Sequence, residues 1–300
     1  MGGPMEGVQI LEVAHWAAVP AATAILSDWG AEVVKIENPD GGDATRGVMG
    51  MGIYPFQLEV SPLFEVDNRN KRSVALRLGS EEAEAVLHRL IERADVFATN
   101  FEPPVLEKFN LQYDQLSEIN PRLIYANLSG YGEEGADKDR PGYDWTTYWA
   151  RSGIMAVLGE PDAPPVAARP AIGDHPASML LAGAIAAALF SREKTGVGQK
   201  VGAALMHCGM WVLSTDIEAS LLSGKPIPRI SRKNTGNPLT ISYLTKDEKW
   251  LLLTMPQADR YWPELCKAVG REDMEDDTRF NSLENRRDNS TELISILDEI

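Results

Sequence analysis

The sequence predicts a mostly parallel α/β sheet joined to a smaller α+β domain, and three observations carry that expectation. Short apolar runs alternate with helical patterns through residues 1–200. The chain opens on a βαβ unit, with Val8–Val13 and Glu32–Ile36 as strands on either side of a helix from about Pro20 to Trp29. From Arg229 onward the alternation gives way to a hairpin and separate helices. The expected division is a large domain over 1–200, a linker helix over 201–228 and a small domain over 229–300.

Each element has a local reason. Gly30 stops the first helix, and Glu37 lies just past the second strand, where Rossmann-like folds hold a ribose. The first turn, Ala14–Pro20, has no glycine for a pyrophosphate to approach, so the architecture is accepted and NAD is excluded. Asp40–Pro62 has little periodicity and reads as a long loop. Asn68–Ser73 brings three cations before a short strand at Val74–Leu78. Ser80 and the acids after it open an amphipathic helix to about Ala94. Asp95–Thr99 is a buried strand, Pro103–Phe109 and Tyr113–Ile119 are short helices, and Leu123–Leu128 is another strand. Gly142–Gly153 starts a helix, and the aromatics Tyr143, Trp145, Tyr148 and Trp149 divide between core packing and the wall of an apolar pocket. Lys194–Lys200 lacks phosphate-loop spacing and reads as a turn. After Lys200 comes a strand or helix start, and Val201–Ser223 reads as a long helix broken by Pro226. Leu239–Tyr243 and Trp250–Thr254 form a hairpin, followed by helices at Ala258–Val269 and Asn289–Ile300. The last helix carries no stop signal, so the small domain is read as incomplete.

Composition narrows the function. The chain has 300 residues, 44% hydrophobic and 24% charged, an ordinary globular balance. A formal net charge of -15 argues against nucleic acid or an anionic membrane as partner, while leaving room for an anionic ligand in a local basic pocket. Cys208 and Cys266 lie far apart and read as buried thiols of a reducing compartment. The N-terminus shows no signal peptide, and the longest uncharged stretch is too short to span a bilayer. A cytoplasmic protein is expected, with no metal site.

One stretch concentrates the chemistry. In Ala171–Phe190, a loop delivers Asp174 and His175 to a helix that carries no charge from Ala177 to Phe190, so neighbours are expected to cover it on most sides. Pro176 suits the first helical position. The helix N-terminus would keep Asp174 ionised and offer donors to a developing oxyanion. Taken alone, Asp174 reads more readily as a capping residue than as a nucleophile.

The ordered set of motifs is more specific. Gly30–Glu37, Asn70–Ser73, Asn100-Phe101, Ser129–Gly132, Pro141–Asp144, Gly173–His175, Thr195–Val201 and Asn234–Pro238 together resemble the class III (CaiB/BaiF-like) CoA-transferases. Glu133–Asp139, Leu205–His207 and Gly270–Asp273 are most similar to the phenyllactate and 2-hydroxyisocaproate members. The resemblance implies that Asp174 is the nucleophile, and that acyl-CoA is a substrate rather than a tightly bound cofactor. It implies CoA contacts at His15, Trp16, Ala17, Ala18, Lys71, Arg72, Asn100, Phe101, Lys108 and Tyr143. Asp144, Trp145, Tyr148 and Gly236 are expected around the acyl group, Gly236 in a closing loop. Formyl-CoA transferases have Gln where this chain has Ala17, which fits a bulkier apolar acid. The 2-methylacyl-CoA racemases share the scaffold but use a His where this chain has Tyr143. An inactive CoA-binding fragment is the other alternative. Family members continue beyond residue 300 and interlock as homodimers, so an interlocked dimer is expected for a complete chain.

Overall fold

The computed structural model describes residues 2–51, 54–166 and 168–300. It divides into two compact units, residues 1–155 with 167–225 and residues 156–166 with 226–300. The stretch 201–225, expected as part of a linker, groups with the first unit.

The first unit is a six-stranded sheet with helices on both faces. Its elements are β1 (Gln9–Val13), α1 (Ala18–Asp28), β2 (Glu32–Glu37), α2 (Pro62–Asp67), β3 (Lys71–Ala75), α3 (Glu81–Arg93), β4 (Val96–Thr99), α4 (Pro103–Lys108), α5 (Tyr113–Ile119) and β5 (Ile124–Ser129). After α6 (Ile154–Val157) come α7 (Asp174–Thr195), β6 (Lys200–Ala204), α8 (Leu205–Val212) and α9 (Ser214–Ser223). The strand order is β3-β2-β1-β4-β5-β6, with every pairing parallel. Side chains alternate across the strands, so each feeds two cores. Ile10, Val33, Val96 and Ile124 pack with Val19 and Leu26 of α1 and Leu181 and Ile185 of α7. Leu11, Ile36, Phe97 and Tyr125 pack on the other face with Leu87 and Ile91 of α3 and Leu116 of α5.

Three local readings are corrected. Val201–Ser223 is not one helix: β6 adds the sixth strand, pairing Ala126 with Val201, and only then do α8 and α9 follow. A short run such as Val201–Ala204 fits a strand as well as a helix start, and here the open edge of β5 decides, with β6 as a part-exposed edge strand. Gly142–Gly153 gives a π-helical turn, Asp144–Arg151. Pro176 is the third residue of α7, because the helix begins at Asp174. The outer face of α7 is also barer than expected, with Met179 and Phe190 exposed.

The second unit holds the antiparallel hairpin β7 (Ser242–Leu244) and β8 (Trp250–Leu252), with α10 (Ala258–Ala268), α11 (Leu283–Asp288) and α12 (Ser290–Glu299). Its core is Leu239, Trp262, Leu265, Phe280 and Leu293. Among the described residues, no helix is long and apolar enough to cross a membrane.

Candidate active site

Strand order reverses between β1 and β4, and an open α/β sheet forms its ligand crevice at the carboxyl ends of such strands. There the loops that follow β1 and β4 clasp each other. His15 N–H donates to Asn100 Oδ1 at 3.2 Å, and Asn100 Nδ2 returns a bond to His15 O at 2.7 Å. Trp16 is left-handed, at φ 65°, a costly conformation for a bulky residue. Its N–H donates to Asp43 Oδ1 at 3.2 Å, which helps hold the loop in place. A cleft of roughly 1540 Å³ opens here, and its walls include His15, Trp16, Ala17, Ala18, Asn100 and Phe101.

Tyr143, Asp144, Trp145 and Asp174 line the same cleft. Asp174 is the first residue of α7, following Gly173, whose N–H donates to Asp144 Oδ1 at 3.0 Å. A Cβ on residue 173 would stand 2.2 Å from that oxygen and 2.3 Å from the Tyr148 ring, so only glycine lets the two aspartates approach. The π-helical turn brings Asp144 to this point, and its Oδ2 is buried without a hydrogen-bond partner. Trp16 meets Tyr143 edge to face, centroids 6.5 Å apart, forming an aromatic wall.

The electrostatics correct one expectation. Asp174 is not held ionised by the helix end. Burial, with the Asp144 carboxylate adding to it, pushes its carboxyl up to about 7, while neighbouring His175 pulls the other way. Burial likewise pushes Asp144 up to about 6 despite the Gly173 N–H bond.

Other expected contacts lie elsewhere. Lys71 does not offer its charge to the cleft: its side chain is 2% exposed, and Nζ donates to Glu12 Oε2 at 2.8 Å, Pro20 O at 2.8 Å and Asp67 O at 2.7 Å. Arg72 is solvent-exposed and pairs with Glu32 at 3.0 Å. Lys108 lies over the Phe109 ring at 5.2 Å. Tyr148 is buried in the core behind Gly173. Gly236 belongs to the second unit. The cations that do line the cleft are Arg77, Lys138, Arg140 and Lys200; Lys138 and Lys200 fall within the motifs Glu133–Asp139 and Thr195–Val201, but sequence alone assigns none of the four a role. His175 Nε2 lies 3.1 Å from Asp67 Oδ1, a pairing across 108 positions that no local pattern signals. Among the described residues, no group of three or more His, Cys, Asp or Glu is placed to hold a metal ion.

Comparison with known proteins gives the same direction. The sequence profile of CoA-transferase family III matches residues 5–300. A cinnamoyl-CoA:phenyllactate CoA-transferase of Clostridium sporogenes is 38% identical over 296 residues, 98% of this chain and 71% of the relative. An (R)-2-hydroxy-4-methylpentanoate CoA-transferase of Clostridioides difficile is 36% identical over 295 residues, 98% of this chain and 73% of the relative. A solved CAIB/BAIF family protein from Brucella suis superposes with a TM-score of 0.87 at 31% identity, covering 100% of this chain and 78% of that one.

Proposed function

The chain belongs to CoA-transferase family III and is a CoA-transferase, and from that premise we propose that it moves CoA from an acyl-CoA to an apolar, aromatic or 2-hydroxy carboxylic acid, with Asp174 as nucleophile. The observation that carries this reading is Asp174 itself, the first residue of α7, in the wall of the roughly 1540 Å³ cleft. The Asp174 carboxylate attacks the thioester carbonyl, the C–S bond breaks, and CoA leaves as a thiolate from an acyl-aspartyl anhydride. The thiolate attacks the aspartyl carbonyl, releasing the first acid and leaving an aspartyl-CoA thioester. A second carboxylate attacks that thioester to form a new anhydride and free thiolate. Attack of the thiolate on the acyl carbonyl yields the new acyl-CoA and restores Asp174. One thioester replaces another, so the site need supply little beyond positioning, donors for the oxyanion and exclusion of water.

Arg77, Lys138, Arg140 and Lys200 are the cations the cleft offers to the CoA phosphates, the role expected of Lys71 and Arg72; Arg77, Arg140 and Lys200 would exchange their present partners Asp40, Asp137 and Glu133 for phosphate oxygens. Trp16, Tyr143 and Trp145 with the small Ala17 favour a bulky apolar acyl group. The exposed apolar side chains Met179, Phe190, Trp211 and Leu222 support assembly as a homodimer. The buried thiols of Cys208 and Cys266 fit the cytoplasm.

The reading is tested by incubating the protein with cinnamoyl-CoA and phenyllactate and separating the thioesters by chromatography. Phenyllactyl-CoA forming as cinnamoyl-CoA disappears is the expected result. A racemase would instead place solvent deuterium on the α-carbon of a suitable acyl-CoA with no exchange, and that outcome contradicts the proposal. The pH profile follows from the raised Asp174 carboxyl: protonation removes the nucleophile, so kcat/KM falls as pH drops through about 7. At pH 6 about one tenth of the plateau rate remains. An acid limb in the ordinary carboxylate range contradicts this.

A further inference from the structure

Asp67 ends α2 with a side chain only 1% exposed, and no step of the transfer uses it. Oδ1 accepts from Nε2 of His175 at 3.1 Å, while Oδ2 is buried without a hydrogen-bond partner. A desolvated carboxylate with one oxygen unpartnered needs a positive neighbour, and the half-buried His175 ring is the group its side chain bonds. Asp67 is itself fixed from behind, because Lys71 Nζ donates to its backbone carbonyl at 2.7 Å. His175 directly follows the nucleophile in sequence. Three carboxylates thus act on one imidazole: Asp67 from α2, Asp144 from the π-helical turn, and Asp174 on its own helix.

We propose that Asp67 holds His175 as an imidazolium, and that this fixed positive charge sets the pH at which Asp174 becomes a nucleophile. His175 is then a positioning residue for charge, acting through Asp174. Without its charge, Asp174 would have to ionise beside Asp144 and Asp67, whose neighbouring cation Lys71 is already committed to Glu12 and to the Asp67 backbone carbonyl. The directions agree: the bond to Asp67 raises His175 above its ordinary value against the cost of burial, and among the charges acting on Asp174 only His175 favours its ionised form. The proposal rests on Asp174 being the nucleophile.

The test measures hydroxylamine trapping at Asp174 by peptide mass, with the whole chain and an acyl-CoA, across roughly pH 5 to 9. The expected result is that His175→Gln moves the acid limb up by about one pH unit, a loss of about tenfold near neutrality that vanishes at high pH. His175→Lys, which restores the charge without the ring, brings the limb back. A limb unmoved by His175→Gln, or a rate lowered equally at every pH, overturns the proposal; His175→Asn replaces the Gln variant should that one not fold. The second readout is the NMR titration of the His175 ring, assigned among the four histidines by its loss in the variant. Its midpoint should lie above the ordinary histidine value and fall in Asp67→Asn; equal midpoints overturn the proposal. Wild-type protein that forms no adduct at Asp174 at any pH overturns the nucleophile reading instead, and the NMR readout still reports whether Asp67 charges His175.

Discussion

Replacing Asp174 with alanine is expected to lower CoA exchange by on the order of 10⁴-fold while leaving CoA affinity within a few-fold of wild type. The asymmetry follows from where the contacts lie. The mouth of the cleft, with the His15–Asn100 clasp and the rim of Arg77, Lys138, Arg140 and Lys200, does not depend on the Asp174 carboxyl. The substitution also removes a half-buried group whose ionisation burial opposes, so the fold should lose nothing and gain slightly. Calorimetric titration with CoA and a chromatographic exchange assay on the same preparation separate binding from chemistry. Retained turnover, or loss of CoA binding together with turnover, contradicts the assignment.

The second large effect is on stability. Lys35 lies on β2 with a side chain 1% exposed, between Glu12 Oε1 at 2.5 Å and Asp43 Oδ2 at 2.8 Å. Glu12 Oε2 takes Lys71 at 2.8 Å, so two ammonium groups share one carboxylate below the cleft loop. Burial opposes charge throughout, yet the lysines hold Glu12 below the usual carboxylate range, and Glu12 with Asp43 holds Lys35 above the usual lysine value. Lys35→Met removes the shared cation and leaves Asp43 without its ion-pair partner. Such a break typically costs about 3–5 kcal/mol, and urea unfolding followed by tryptophan fluorescence reads it. Asp43 also accepts from Trp16 N–H, so the variant should loosen the acyl wall as well. Arg72→Ala is the contrast: its pair with Glu32 stands in solvent, 70% and 58% exposed, and should cost under about 1 kcal/mol. Equal costs for the two substitutions contradict this account of the network.

The contrast between Lys71 and Arg72 shows what sequence reading reaches. The run of cations at 69–72 is plain in the sequence, but alternation along β3 turns Lys71 under the sheet to Glu12 and leaves Arg72 in solvent. Charge was legible there; direction was not. The frame itself was legible, because Ile10, Leu11, Val33 and Val34 sit in short apolar runs with clear stops. The sixth strand was legible only as one of two alternatives after Lys200, since it is pairing with β5 that decides for a strand there. The helix-start position of Asp174 is a local pattern, whereas its protonation depends on Asp144, carried in by a π-helical turn, and on burial no local window reveals. The Asp67–His175 pair lies furthest from view, joining residues of two distant helices.

The claim on which the rest depends is that the Asp174 carboxyl is transiently acylated. Protein incubated with an acyl-CoA, quenched with hydroxylamine and digested, should yield a peptide carrying a hydroxamate at Asp174 and at no other acidic residue. Turnover with Asp174 unmodified, or with the hydroxamate on a different carboxylate, contradicts the account.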